Sequence, residues 1–122
     1  MIIQQDSNSA DFQIQSYEAG QICVNKVIYK TSLIIRPKEL LTWEPSHFAQ
    51  LKADHFKPIL DNPPNIVLLG TGAKLIIPDM SLFAELWEKG IGVEWMDSRA
   101  ACLTYAALSA EGRSIAACIL ID

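Results

Sequence analysis

Two short stretches of the chain carry side chains able to handle an anion. The first is Gly70-Thr71-Gly72, which closes the apolar run VLL and is followed closely by Lys74. The second is Asp97-Ser98-Arg99, which comes directly after the run IGVEWM. A glycine-rich turn at the end of a buried strand, with a lysine beside it, is the general form of a phosphate loop, where backbone amides and a helix N-terminus converge on the charge. The spacing argues against a nucleotide. A Walker-type loop ends in Gly-Lys-Ser/Thr and opens a helix, and the dinucleotide fingerprint requires a further glycine where Leu75 stands. Here Leu75-Ile76-Ile77-Pro78 continues as an extended piece, and the helix pattern begins only near Asp79. Gly70 and Gly72 are more simply residues that permit positive φ at a tight strand exit.

The same residues keep a positional interest. Ligands of open α/β sheets gather outside the carboxyl ends of parallel strands, and both stretches lie at such ends. If the two strands are neighbours, a small-molecule or peptide site forms from Gly70, Thr71, Gly72, Lys74, Asp97, Ser98 and Arg99. Asp97 has an equally good role as a helix N-cap.

Other constellations carry less. A Ser-His-acid triad would have to use His47 or His55, and there is no G-x-S-x-G elbow to present a nucleophile. The two histidines are eight positions apart with only Asp54 close by, so no metal site is expected. His47 reads as a surface residue and His55 as one at a core edge. Glu85 and Glu88 read as a solvated helix face. Glu94, inside an apolar strand, is the carboxylate most exposed to a pKa rise by burial, unless it sits on an edge or pairs with Arg113. Cys23, Cys102 and Cys118 have no C-x-x-C spacing and read as reduced core residues. No cofactor is implied.

The elements that must position these groups are set by hydrophobic pattern. FQIQSY, QICVNKVIYK and SLIIRP, separated by Ala19-Gly20, Asn25-Lys26 and Lys30-Thr31, read as three or four antiparallel strands that Pro37 stops, with a further extended piece from Leu40 to Trp43. A first helix is predicted from Ser46, as its cap, to about Phe56, and Asp61-Asn62-Pro63-Pro64 marks a loop. NIVLL (65–69) reads as a strand covered on both faces. A second helix over 79–89 would bury Met80, Phe83, Ala84 and Trp87 and stop at Gly90. IGVEWM (91–96) is a strand, 98–111 a third helix, apolar nearly all round and so covered on more than one side, and SIAACILI (114–121) the closing strand. Strand, helix, strand, helix, strand is the order of two consecutive βαβ units. The fold class is therefore α/β, with a C-terminal βαβαβ part and an N-terminal antiparallel β layer.

The 122 residues suit one domain, with 1–11 read as a flexible N-terminus. Half the residues are apolar and a fifth charged, the balance of a globular chain. Fourteen acidic against ten scattered basic side chains make nucleic acid an unexpected partner. No signal-peptide pattern opens the chain and no segment reaches the roughly 20 apolar residues of a membrane span, so the expected location is cytoplasmic. The apolar surplus hints at a homodimer.

PNIVLLGTGAKLIIP and GIGVEWMDSRAACLTYAALSAEGRSIAACIL together resemble the Mth-type domain family, whose molecular function is unknown and which includes a mitochondrial complex I assembly factor and an adipogenesis-associated protein. The resemblance spans about 12–121 and is sharpest at Leu69-Gly70-Thr71-Gly72, Met96-Asp97 and Thr104-Tyr105 with Glu111 and Arg113. It implies a three-layer α/β domain over 12–122 with a mixed central sheet and adds Tyr105 to the candidate binding residues. Members commonly place Arg before the Thr-Tyr pair and Asn after it, where this chain has Leu103 and Ala106. That loss of polar groups fits binding better than shared catalysis, and the resemblance assigns no catalytic residue.

Two functions stay open. The leading one is a non-enzymatic protein-binding or assembly factor, related by resemblance to respiratory complexes, whose partner docks at the Gly70 and Asp97 loops and nearby aromatics. The alternative is a small-molecule-binding enzyme acting on an anionic substrate at the same loops.

Overall fold

The computed structural model describes residues 10–122. The flexible N-terminus expected over 1–11 lies outside the described residues except at its end. There Ala10 is buried, and the amide of Asp11 donates to Pro37 O at 2.7 Å.

The chain opens with three short strands, β1 (Ile14–Glu18), β2 (Gln21–Val24) and β3 (Val27–Tyr29), which form a small antiparallel sheet in that order. The two-residue turn between β2 and β3 puts Asn25 and Lys26 at φ 50° and 68°. A primed turn of this kind matches the strand twist, and asparagine tolerates the left-handed region. The side chain of Asn25 holds the turn down, accepting from Gln13 N and donating to Asp11 O, both at 2.9 Å.

β4 (Leu33–Arg36) and β5 (Glu39–Thr42) make a second hairpin around Pro37-Lys38. They leave the N-terminal layer and join the main sheet, whose order is β5-β4-β8-β6-β7, with β6 (Ile66–Gly70), β7 (Gly92–Met96) and β8 (Ile115–Ile119). The N-terminal β layer is thus smaller than the sequence pattern suggested. β4 and β8 are buried at every position, so each needs cover on both faces. β6 runs parallel to both β7 and β8, while β4 is antiparallel to β8. The sheet is mixed and the βαβαβ order holds.

Each sheet face has its own core. On one, α2 (Ser98–Ala110) and the small sheet pack side by side, so that Tyr17, Ile22, Cys102 and Tyr105 meet Leu33, Ile35, Leu68 and Ile119. On the other, Trp43, Phe56, Phe83 and Leu86 cover Ile34, Val67, Leu69 and Cys118. A chain of ring contacts knits this second core: Trp43 on Phe56 at 5.7 Å, Phe56 on Phe83 at 6.0 Å, and Phe83 stacked on Trp95 at 5.7 Å.

Two helix expectations are corrected, and the third holds. The helix predicted from Ser46 is two 3-10 turns, Phe48–Gln50 and Ala53–Ile59, the second holding Pro58. The cap moves to His47, and the Ser46 amide donates to Gln50 Oε1 at 2.7 Å. The second helix starts as a 3-10 turn, Met80–Phe83, and only Ala84–Glu88 is α-helical (α1). That change of period rotates the buried face: Phe83 and Leu86 go inside, while Met80, Ala84 and Trp87 stay exposed. Finally, α2 is covered on two sides, by the main sheet and β1, yet Leu103 is 69% exposed.

Candidate functional site

The two glycine and acidic loops do meet. β6 and β7 are parallel neighbours paired from Ile66↔Gly92 to Gly70↔Met96, so both loops leave the same end of the sheet. Their connections then part, through α1 to one face and α2 to the other, which is the arrangement that opens a crevice. The chain's own atoms fill it here. Ser98 N donates to Gly72 O at 2.8 Å, Gly72 N donates to Ser98 Oγ at 2.9 Å, and Ser98 Oγ donates onward to Leu120 O at 2.7 Å. Thr71 N donates to Met96 O at 2.8 Å and Leu120 N to Gly70 O at 3.0 Å. Ser98 and Thr71 are buried.

The glycines are there because nothing larger fits. A Cβ on Gly70 would stand 2.8 Å from Ser98 Oγ and 2.9 Å from Ser98 Cα. A Cβ on Gly72, whose φ is +107°, would strike the carbonyl of Asp122. This is close backbone approach; the positive φ expected at both glycines is found at Gly72 and not at Gly70.

The remaining predicted residues are spread around this junction. Thr71 Oγ1 donates to Lys74 O at 2.7 Å and accepts from Ile76 N at 3.1 Å, folding the loop back on itself. Lys74 is exposed. Asp97 caps α2 by accepting from Ala100 N at 2.8 Å. Arg99 is exposed on the first turn of α2, beside a shallow groove with Tyr17 and Cys102. Tyr105 lies apart from the loops, buried two turns along α2, where its hydroxyl donates to Phe12 O at 2.9 Å. Burial raises its pKa above the ordinary tyrosine value. Burial likewise raises Tyr17, whose hydroxyl donates to Ile121 O at 3.2 Å.

Outside the junction, Glu94 is exposed on the edge strand β7, and Arg113 pairs with Glu111 at 3.7 Å instead. His47 lies 3.1 Å from the Asp122 carboxylate, and His55 accepts at Nδ1 from Lys52 N and faces Glu44 through Nε2 at 3.3 Å. Cys102 and Cys118 are core residues whose thiols burial pushes up to about 12. Cys23 departs from the core reading because it faces outward from β2 and is half-buried. Among the described residues no cluster of three or more His, Cys, Asp and Glu is placed to hold a metal ion. No helix among them is long and apolar enough to cross a membrane.

A surface that motif and spacing did not single out adjoins the junction. Leu75, Ile76 and Ile77 are 57%, 39% and 76% exposed and Met80 is 38% exposed, while Pro78 is buried between them. Four large apolar side chains exposed in one short segment are a feature that marks an interaction surface when they lie together. The signal was present in the sequence: an apolar run after a glycine turn, ended by proline, that no strand pairing could absorb.

The comparisons with known proteins bear on this geometry. The model of a family described as protein of unknown function (DUF498/DUF598) matches residues 14–120, and the chain belongs to that family, the Mth-type domain proteins. The chain is 29% identical over 123 residues to the 13 kDa major membrane protein of Francisella tularensis subsp. holarctica, covering 99% of each. It is 28% identical over 120 residues to NADH dehydrogenase (ubiquinone) 1 alpha subcomplex assembly factor 3 of Danio rerio, covering 97% of this chain and 69% of that one. A crystal structure from Bordetella parapertussis superposes with a TM-score of 0.85 at 30% identity, covering 93% of this chain and 98% of that one. The solution structure of an Mth-like domain protein from Bordetella pertussis gives a TM-score of 0.80 at 25% identity, covering 100% and 90%.

Proposed function

We propose that this protein is a non-enzymatic assembly factor of the cytoplasm that docks a partner protein on Leu75, Ile76, Ile77 and Met80. The observation that carries this reading is the exposure of those four side chains in one segment. The junction of Gly70, Thr71, Gly72 and Ser98 serves as its rigid base, because a loop tied to buried strands loses little freedom on binding. Lys74, Asp97 and Arg99 supply polar groups at its rim, and Tyr105 holds α2 in place. The likeness to an NADH dehydrogenase assembly factor supports a respiratory-complex protein as the partner class. An enzymatic reading has less to draw on, since the hydroxyls of Thr71 and Ser98 are both spent on internal hydrogen bonds.

The test is complementation. Cells lacking the protein are expected to accumulate incomplete NADH dehydrogenase on native gels, with the wild-type chain restoring it and a folded Leu75→Asp/Ile77→Asp variant failing to. Full rescue by that variant would overturn the reading. Homodimerisation has a separate surface in its favour: β3 is an edge strand with Val27 and Ile28 about half exposed, and such edges invite pairing with another strand. Sedimentation of Val27→Lys against wild type measures that contribution.

A further inference from the structure

A cavity lies at the other end of the parallel strands, beyond their amino ends. It measures about 500 Å³ and is bounded by the β4–β5 turn (Arg36 to Glu39), Asn62 of the proline loop, and the α2–β8 turn (Gly112 to Ile115). A volume of this size suits a small ligand. Three cations line it: Arg36, Lys38 and Arg113, against one carboxylate, Glu39.

Arg36 is the unusual member. It is 9% exposed, the most buried charged side chain among the described residues. It closes β4 on the face that carries Ile34 and Cys118, and its charge is felt by the Cys118 thiol. Yet among the described residues its guanidinium has no ion pair and no side-chain hydrogen bond. Glu39, its hairpin partner in register, is exposed and makes no ion pair with it. A buried cation without a partner is costly, and natural chains avoid one unless something else compensates it.

The neighbours do not compensate it but add to it. Lys38 is held 3.3 Å from Asp11 and Arg113 is 3.7 Å from Glu111, both on exposed side chains where such pairs are weak and easily exchanged. Ser114 and Asn62 bring a hydroxyl and an amide with no side-chain hydrogen bond among the described residues. Donors around a cavity with excess positive charge are the chemistry that recognises an oxyanion, and a guanidinium does so with two parallel hydrogen bonds.

We infer that this cavity binds the phosphate or carboxylate group of a small molecule, with Arg36 as the buried anchor and Arg113 and Lys38 at the mouth. The site is distinct from the Leu75–Met80 surface and does not rest on the assembly reading. It also places anion recognition away from Lys74 and Arg99.

The experiment is amide NMR of the whole chain titrated with inorganic phosphate and, separately, with succinate, at constant ionic strength. Saturable shifts should cluster at residues 36–39 and 112–115 for at least one of the two, the stronger of which identifies the group. Arg36→Met, which keeps the volume, and Arg113→Ala should each weaken that binding at least about tenfold, in line with the strength of a charge-assisted contact. Lys74→Ala and Arg99→Ala should leave it unchanged. No saturable response to either anion would overturn the inference, as would shifts spread over the cations of both ends. Unchanged affinity in Arg113→Ala would overturn it even if Arg36→Met failed to fold.

Discussion

The two ends of the parallel strands solve opposite problems. At the carboxyl end, where α/β sheets ordinarily receive ligands, the chain fills the crevice with itself: Ser98 bridges Gly72 and Leu120, and the glycines let backbone meet backbone. At the amino end a cavity stays open beside a buried arginine whose charge nothing among the described residues pairs. The lesson is that a positional rule about ligand sites holds only while the crevice is empty. A C-terminal segment arriving from the neighbouring strand β8 takes up the Ser98 hydroxyl and the Gly70 carbonyl there.

Breaking the closed end should cost most. Gly72→Ala combines an unfavourable positive φ with a collision against the Asp122 carbonyl. It is expected to destabilise by about 3 kcal/mol or more, seen as a large drop in the midpoint of urea unfolding. Ser98→Ala leaves the buried Gly72 amide without an acceptor and Leu120 O without its hydroxyl donor, for about 2–4 kcal/mol.

Next comes alkaline pH, which acts on two buried thiols, one on α2 and one on β8. Cys102 and Cys118 titrate near 9 when free and at about 12 when buried here, burial being the main cause. The folded state therefore keeps protons that the unfolded chain releases, so stability is complete below pH 9 and falls as pH rises from 9 to 12. Melting temperature against pH checks this. A thiol reagent at pH 8 should label Cys23 alone until the protein unfolds, because only that cysteine is not buried.

The smallest changes in stability are expected at the open surfaces. Arg36→Met should alter unfolding free energy by less than about 1 kcal/mol, or raise it, since it removes a buried charge that has no partner to lose. A loss of several kcal/mol would show that Arg36 is paired after all and that the two ends do not differ. Ile77→Asp should stay within about 0.5 kcal/mol of wild type, because the side chain is already 76% exposed. A folded Ile77→Asp protein that still rescues complex assembly would remove this residue from the docking surface.

Much of this was legible in the chain itself. Alternation and aliphatic runs marked three or four N-terminal strands, a further extended piece and three C-terminal strands, the Asp97 cap and Gly112 bounded α2, and the strand-helix order called for parallel β6, β7 and β8. These are local signals, carried by side-chain period and by residues with special φ. The helices expected from Ser46 and from Asp79 were harder, because 3-10 turns bury a different set of positions than the α period implies. Three outcomes belonged to tertiary structure alone. β4 joined the main sheet because β8 needed a partner, and strand pairing has no local mark. The Gly70 crevice closed because Ser98 and Leu120–Asp122 reach it from 26 and about 50 residues away. Arg36 became a buried cation because its strand lies against the core of the far face, and burial depends on what folds over a residue and not on the residue itself.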